Sequence, residues 1–174
     1  MGLSDTPFRF CPHCGARLVP QRVETHTLPG CPACGFLAFR DPKVAAVAIA
    51  VDPRGHVLAI RRGIAPGRGE WAFPGGYVDY DEHPEHGARR ECREETGCEL
   101  GPVRLEGVFH VGLAGAGLVV VAYSGRVTAG RPAPTKEAPE LGFFAPDGLP
   151  PLVFSSHRQA LAAWRGAPAL AGPG

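Results

Sequence analysis

At 174 residues, with 44% hydrophobic side chains and a formal net charge of +1, the chain has room for one ordinary domain, a small appendage and a sizeable core. The near-neutral balance excludes a protein that coats nucleic acid wholesale. The apolar runs at 44–51 and 118–123 are too short to span a bilayer, and residues 1–10 lack the basic start and apolar stretch of a secretion signal. A soluble, cytoplasmic protein with no membrane partner is expected.

Residues 1–10 read as a loose lead-in. Four of the six cysteines follow as Cys11-Pro-His-Cys14 and Cys31-Pro-Ala-Cys34, spaced Cys-x2-Cys-x16-Cys-x2-Cys, with Gly15 and Gly35 behind each pair. In a chain expected to be cytoplasmic, this spacing reads as metal binding before it reads as disulfides. Four thiolates close a tetrahedral Zn²⁺ site with no open position, so Cys11, Cys14, Cys31 and Cys34 are expected to hold a structural zinc. That ion would support a domain too small to fold unaided. His13 and His26 are then surface residues. Phe8, Phe10, Phe36 and Phe39 read as ribbon core or as a dimer or interdomain contact rather than as base-stacking platforms. Only Arg9, Arg17 and Arg22 are basic in the first 35 residues, so nucleic acid is not an expected partner.

Phe39 to Lys43 makes a joint at Pro42. Val44–Val51 reads as a strand, Asp52-Pro53-Arg54-Gly55 as a turn, and His56–Arg62 as the returning strand of a hairpin. Gly63–Gly69 is a loop flanked by Arg61, Arg62 and Arg68, which read as a solvated loop or as a phosphate clamp. It lacks the Gly-Lys-Ser/Thr ending of a P-loop. Glu70–Pro74 is a short strand leading to Gly75-Gly76. Pro84 suits the first turn of a helix that runs to about Thr96, with Gly97 as its terminator. Val103–Val111 and Leu118–Val127 read as strands linked through Gly112–Gly117. Gly130–Glu140 is a polar, proline-rich loop expected to be flexible, and Leu141–Ala145 a short strand. Ser155 or Ser156 caps a last helix through Trp164, anchored by Leu161 and Trp164. Residues 166–174 form a frayed tail. Strands on both sides of a central helix, without strict βαβ alternation, indicate a mixed-sheet α/β domain.

The helix carries the chemistry. Glu91, Glu94 and Glu95 stand at i, i+3 and i+4, so three carboxylates share one face. Like charges so placed destabilise a bare helix by roughly 0.2–0.5 kcal/mol per pair. Oxygen ligands clustered in this way suit a hard cation such as Mg²⁺ or Mn²⁺. Cys92 falls on another face, and with Cys98 reads as a small buried hydrophobe.

Gly76-x5-Glu82-x7-Arg90-Glu91-Cys92-x-Glu94-Glu95-x-Gly97-Cys98 matches the Nudix box at every defined charged and glycine position, with cysteine at both bulky apolar positions. The chain resembles a Nudix hydrolase over residues 41–165. The resemblance implies an α/β/α sandwich with a mixed sheet, preceded by a zinc ribbon over residues 1–40, and a cation-dependent hydrolase acting on a nucleoside diphosphate linked to another moiety. By motif position, Glu91, Glu94 and Glu95 would ligate Mg²⁺ or Mn²⁺, with the carbonyl of Gly75 or Gly76. Arg90 and Glu82 would hold loop and helix in register. Glu94, Glu137 or Glu140 would be the general base. Among ribbon-bearing members, Pro42-Lys43-Val44, Arg62-Gly63-Ile64-x-Pro66, Trp71-x-x-Pro74 and Phe154-Ser155-Ser156 are similar to the group acting on ADP-ribose and FAD. The Ser-Gln-Pro-Trp type motif of the NADH pyrophosphatases is missing after Cys98, and Pro74-Gly75-Gly76 departs from the ADP-ribose group's usual Pro-Ala-Gly. Cleavage of ADP-ribose or FAD to AMP is the favoured expectation. NADH or NAD-capped RNA cleavage, and a nucleotide-sensing or RNA-binding module, are the alternatives. Family resemblance also implies a homodimer.

Overall fold

The computed structural model describes residues 8–113 and 116–166. The chain divides into two compact units: Met1–Pro42 with Leu113–Gly117, and Lys43–Gly112 with Leu118–Gly174. The expectations for the first seven residues and for most of the tail lie outside the described residues.

The first unit contains β1 (Val19–Val23) and β2 (His26–Gly30), an antiparallel pair that the sequence reading missed. Its small core comprises Cys11, Leu18, Cys31 and Ala38, with Ala16 and Phe36 packed against them. Phe8, Phe10 and Phe39 are exposed, so of the four flanking aromatics only Phe36 serves the ribbon core.

The second unit is built on one mixed sheet. Its strands are β3 (Lys43–Val51), β4 (Val57–Arg61), β5 (Trp71–Ala72), β6 (Gly75–Tyr77), β7 (Cys98–Leu113), β8 (Ala116–Gly130) and β9 (Glu140–Phe144). The order is β5-β4-β3-β8-β7, with β6 also on β3 and β9 also on β4. Strand β3 runs parallel to β8 from Lys43↔Leu118 to Val51↔Arg126. Its side chains alternate between the two faces. Ala46, Ala48 and Ala50 face one side, where Ala88 and Cys92 of α1 (Pro84–Thr96) pack. Val47, Ile49 and Val51 face the other side, against Ala160 and Leu161 of α2 (Ser155–Gly166). Three alanines in a row on one face leave room for α1 to come close to the sheet. This is the α/β/α sandwich with two helices.

The expected β3–β4 hairpin forms only at its turn, with Val51 opposite Val57. Further along, β6 takes the edge of β3, pairing Ala45↔Tyr77, Ala46↔Gly76 and Val47↔Gly75. Strand β4 turns to β9 instead, from Val57↔Phe144 to Arg61↔Glu140. Of the short strand read over Glu70–Pro74 only Trp71–Ala72 forms, as β5 on β4, and Gly75–Tyr77 follows as β6 on β3. The effect is to insert Gly75–Gly76 into the sheet beside α1.

Candidate active site

Helix α1 starts as its sequence dictates. Pro84 occupies the first turn, the His83 imidazole accepts from the Glu85 N–H, and Glu85 sits at the positive end of the helix. It ends at Gly97, whose φ of 74° is left-handed and whose N–H reaches the Arg93 carbonyl. Cys92, Thr96 and Cys98 are buried beneath it.

Arg90 organises the exposed side. Its Nε and Nη2 donate to the two oxygens of Glu82 at 2.9 and 2.8 Å, and Nη2 also donates to the Tyr77 carbonyl at 3.0 Å. Its Nη1 donates to Glu91 at 2.7 Å and Glu94 at 3.2 Å. One guanidinium thus joins the loop after β6 to the helix by charge-assisted bonds. Hydrogen bonding to Arg90 holds the Glu82 carboxyl below its usual range. Glu91 moves the other way: burial pushes it up, and the Arg90 cation offsets only part of that cost. Burial pushes Glu95 up to about 7, and the charges of Glu91 and Glu137 add to it, although the Gly75 N–H donates to its Oε2 at 2.7 Å.

The three carboxylates share one side of α1 but do not converge on a point. Among the described residues, the cysteines form the cluster whose ligand atoms all lie within 4.8 Å of one another. Glu91 and Glu94 are held by Arg90, and Glu95 by the Gly75 amide. The site nevertheless suits a hard cation. Its donors are carboxylate oxygens, and two of them are costly to ionise without a compensating positive charge. Gly76 leaves the space: a Cβ there would lie 2.5 Å from Glu91 Oε1.

Around this face stand groups from three other segments. Glu137 is exposed, and its charge acts on both Glu91 and Glu95. Glu140 instead opens β9 opposite Arg61 and pairs with it at 3.0 Å. Arg62 donates to the Pro66 carbonyl, lies 5.2 Å from the Phe154 ring centroid and acts electrostatically on Glu95. Arg61 and Arg68 also donate to carbonyls of their own loop, those of Gly69 and Gly63. The arginines brace this loop rather than project from it.

His157 went unread in the sequence. It is buried, stacks on Phe73 at 5.7 Å, and its Nδ1 accepts the Phe73 N–H at 3.0 Å. Burial, with Arg62 and Arg158 nearby, pushes its pKa down to about 3, so the ring is neutral. It ties α2 to the segment that enters Gly75. The signal was available, because positions 157, 160, 161 and 164 lie on one helical face.

In the ribbon, the Sγ atoms of Cys14 and Cys31 are 3.4 Å apart, and those of Cys11–Cys34 and Cys14–Cys34 3.6 Å apart. The two knuckles repeat one geometry: the Gly15 and Gly35 amides reach back to the Cys11 and Cys31 carbonyls at left-handed φ values of 75° and 77°. Four sulfurs so gathered could hold one tetrahedral ion.

The chain belongs to the Nudix family: the NUDIX domain model matches residues 41–164. It is 32% identical over 104 residues to a MutT-like protein of Streptomyces ambofaciens, covering 60% of this chain and 64% of that one. It is 32% identical over 94 residues to the NAD-capped RNA hydrolase NudC of Stutzerimonas stutzeri, covering 54% of this chain. The chain spans only 33% of that second relative's length. A Nudix hydrolase structure from Nitrosomonas europaea superposes with a TM-score of 0.75 at 25% identity, covering 94% of this chain and 97% of that one.

Proposed function

We propose that the chain hydrolyses the diphosphate bond of a nucleoside diphosphate linked to another moiety, releasing AMP from ADP-ribose or FAD. The observation that carries this reading is the face of α1, where Glu91, Glu94 and Glu95 stand beside Gly75–Gly76 under the hold of Arg90. The three carboxylates, with the Gly76 carbonyl, would hold Mg²⁺ or Mn²⁺. Bound there, the ion would lower the pKa of a water and neutralise phosphate charge.

The residues of the chain do the rest. Arg90 and Glu82 fix the loop against the helix, and the Gly75 amide fixes Glu95. Glu137 takes a proton from the attacking water while a P–O anhydride bond breaks in line and the phosphorylated partner departs. Glu137 is preferred to Glu140 because its charge reaches Glu91 and Glu95, whereas Glu140 is engaged with Arg61. Glu94 is better placed as a ligand than as the base, because it lies on the helix beside the other two carboxylates. The preference for ADP-ribose or FAD is supported by the motif residues Arg62 and Phe154, distant in sequence but in contact. The four cysteines would hold a structural Zn²⁺, with the ribbon domain at 1–40 and the hydrolase domain at 41–165.

Similarity to the NAD-capped RNA hydrolase favours a second reading, cleavage of NADH or of an NAD cap. A panel of ADP-ribose, FAD, NADH, Ap4A and 8-oxo-dGTP with Mg²⁺ or Mn²⁺, resolved by product chromatography, separates the two. AMP from ADP-ribose or FAD is expected. A clear preference for NADH selects the second reading, and no hydrolysis of any compound rejects both.

A further inference from the structure

The Gly130–Glu140 segment, expected to be flexible from its prolines, is fixed along much of its length. A helix leaves its last carbonyls without partners. Two of those of α1 are satisfied by this segment: the Ala133 N–H donates to the Thr96 carbonyl at 3.0 Å, and the Thr135 hydroxyl donates to the Glu95 carbonyl at 3.2 Å. The same Thr135 oxygen accepts the Ala138 N–H at 3.0 Å, while the Thr135 N–H donates to the Ala138 carbonyl. These bonds close a tight turn over Lys136 and Glu137. Ala138 is fully buried beside Ile60 and Ala72. On the other side, the Gly63 N–H donates to the Glu137 carbonyl at 2.7 Å. Only glycine fits there, because a Cβ at position 63 would lie 2.1 Å from the Lys136 carbonyl oxygen.

We propose that Thr135 and Gly63 are positioning residues that hold the Glu137 carboxylate against the carboxylate face of α1. The inference rests on the role assigned to Glu137 above. Thr135 is the link that matters most. Its hydroxyl bonds the backbone of Glu95, the residue whose side chain meets the Gly75 amide, so one residue of α1 sets both the helix carboxylate and the turn that carries Glu137. Glu137 itself is exposed, so the backbone on either side must fix it. The segment is a preset arm capping the helix that bears the other carboxylates, not a lid that folds down on substrate. The same joint explains the close approach at its root, where a Cβ at Gly97 would lie 2.7 Å from the Arg131 carbonyl.

The test is a mutant cycle on the whole protein, with Mg²⁺ and whichever substrate of the panel is turned over. Glu137→Gln is expected to lower kcat by about 10²-fold or more. Thr135→Val keeps the shape and removes the hydroxyl, and should lower kcat by about tenfold with KM nearly unchanged, as expected when a reacting group is misplaced. Thr135→Ser should restore most of that loss. In the Glu137→Gln background Thr135→Val should cost less than about twofold, since nothing remains for it to position. A full, independent loss in the double variant overturns the positioning role while leaving Glu137 its own. Near-normal turnover by Glu137→Gln alone overturns the assignment of Glu137, and this inference with it. If Thr135→Val does not fold, Thr135→Ala removes the hydroxyl without placing a methyl against the Glu95 carbonyl and should show the same dependence on Glu137; independence there is equally contrary.

Discussion

Two sets of potential metal ligands occur in this chain, and the structure treats them in opposite ways. The four cysteines are gathered until all their sulfurs lie within 4.8 Å, two of them buried in the ribbon's own core. The box carboxylates are kept apart, each tied to a donor of the protein: Glu91 and Glu94 to Arg90, and Glu95 to the Gly75 amide. The difference follows from what each unit can bury. The ribbon has a small core of Cys11, Leu18, Cys31 and Ala38, and under the proposed zinc reading its ligands would hold it together. The Nudix domain has two full layers of packing, so its fold does not depend on its carboxylates meeting at one point. A closed set of soft ligands is a structural site, whereas an open set of hard ligands leaves positions for water and phosphate.

Loss of an ion from the cysteines should disturb the molecule most, and only in the ribbon. Zinc sites in small domains contribute about 10–16 kcal/mol of binding free energy that is also folding free energy. The purified protein should carry about one zinc per chain. Chelation, or Cys31→Ser, should release it and expose the amides of β1 and β2 to hydrogen exchange while β3 and β8 stay protected. A zinc-free protein with a protected ribbon would show that the cysteines need no ion.

The carboxylate region, by contrast, is braced by packing, and His157 is one of its braces. Its pKa falls from 6.5 to about 3 because burial disfavours the charged ring. The folded state therefore binds fewer protons than the unfolded state between those values. The stabilising contribution is fully present above pH 6.5 and is lost as pH falls toward 3, by up to about 5 kcal/mol. His157→Gln, which keeps an acceptor for the Phe73 amide but does not titrate, should flatten this acid limb in denaturation measured across pH. Parallel acid limbs for the two proteins would remove His157 from this role.

Gly76→Ala gives the smallest structural effect with a visible functional one. The new Cβ meets the end of the Glu91 side chain, which can swing aside, so stability should change by less than about 1 kcal/mol. Under the proposed function that carboxylate is one of the three that serve the reaction, so kcat should fall by about 10²-fold. Unchanged kinetics would show that the position of Glu91 is not critical.

Much of this contrast was legible in the chain. The cysteine spacing and the Glu91, Glu94, Glu95 face rest on local periodicity, and local rules placed α1 from Pro84 to Thr96, ended by Gly97. Long-range competition was not legible. Nothing near Val44–Val51 announces that β6 displaces β4 from its edge, because the pairing partner lies more than twenty residues away. Nor did the prolines of 130–140 reveal an ordered segment. Its fixation depends on helix carbonyls left without partners, which become visible only when the end of α1 and the loop are placed together. His157 was readable as inward-facing by its spacing, but its partner, a backbone amide in β5–β6, was not.

Under the proposed function, the carboxylate face of α1 performs cation-dependent diphosphate hydrolysis. The most direct test compares AMP release from ADP-ribose in Mg²⁺ by the native protein and by Glu94→Gln, with folding checked by circular dichroism. The native protein should release AMP, and the variant, equally folded, should be slower by about 10³-fold. Equal rates, or no release by the native protein from any diphosphate substrate tried, would contradict it.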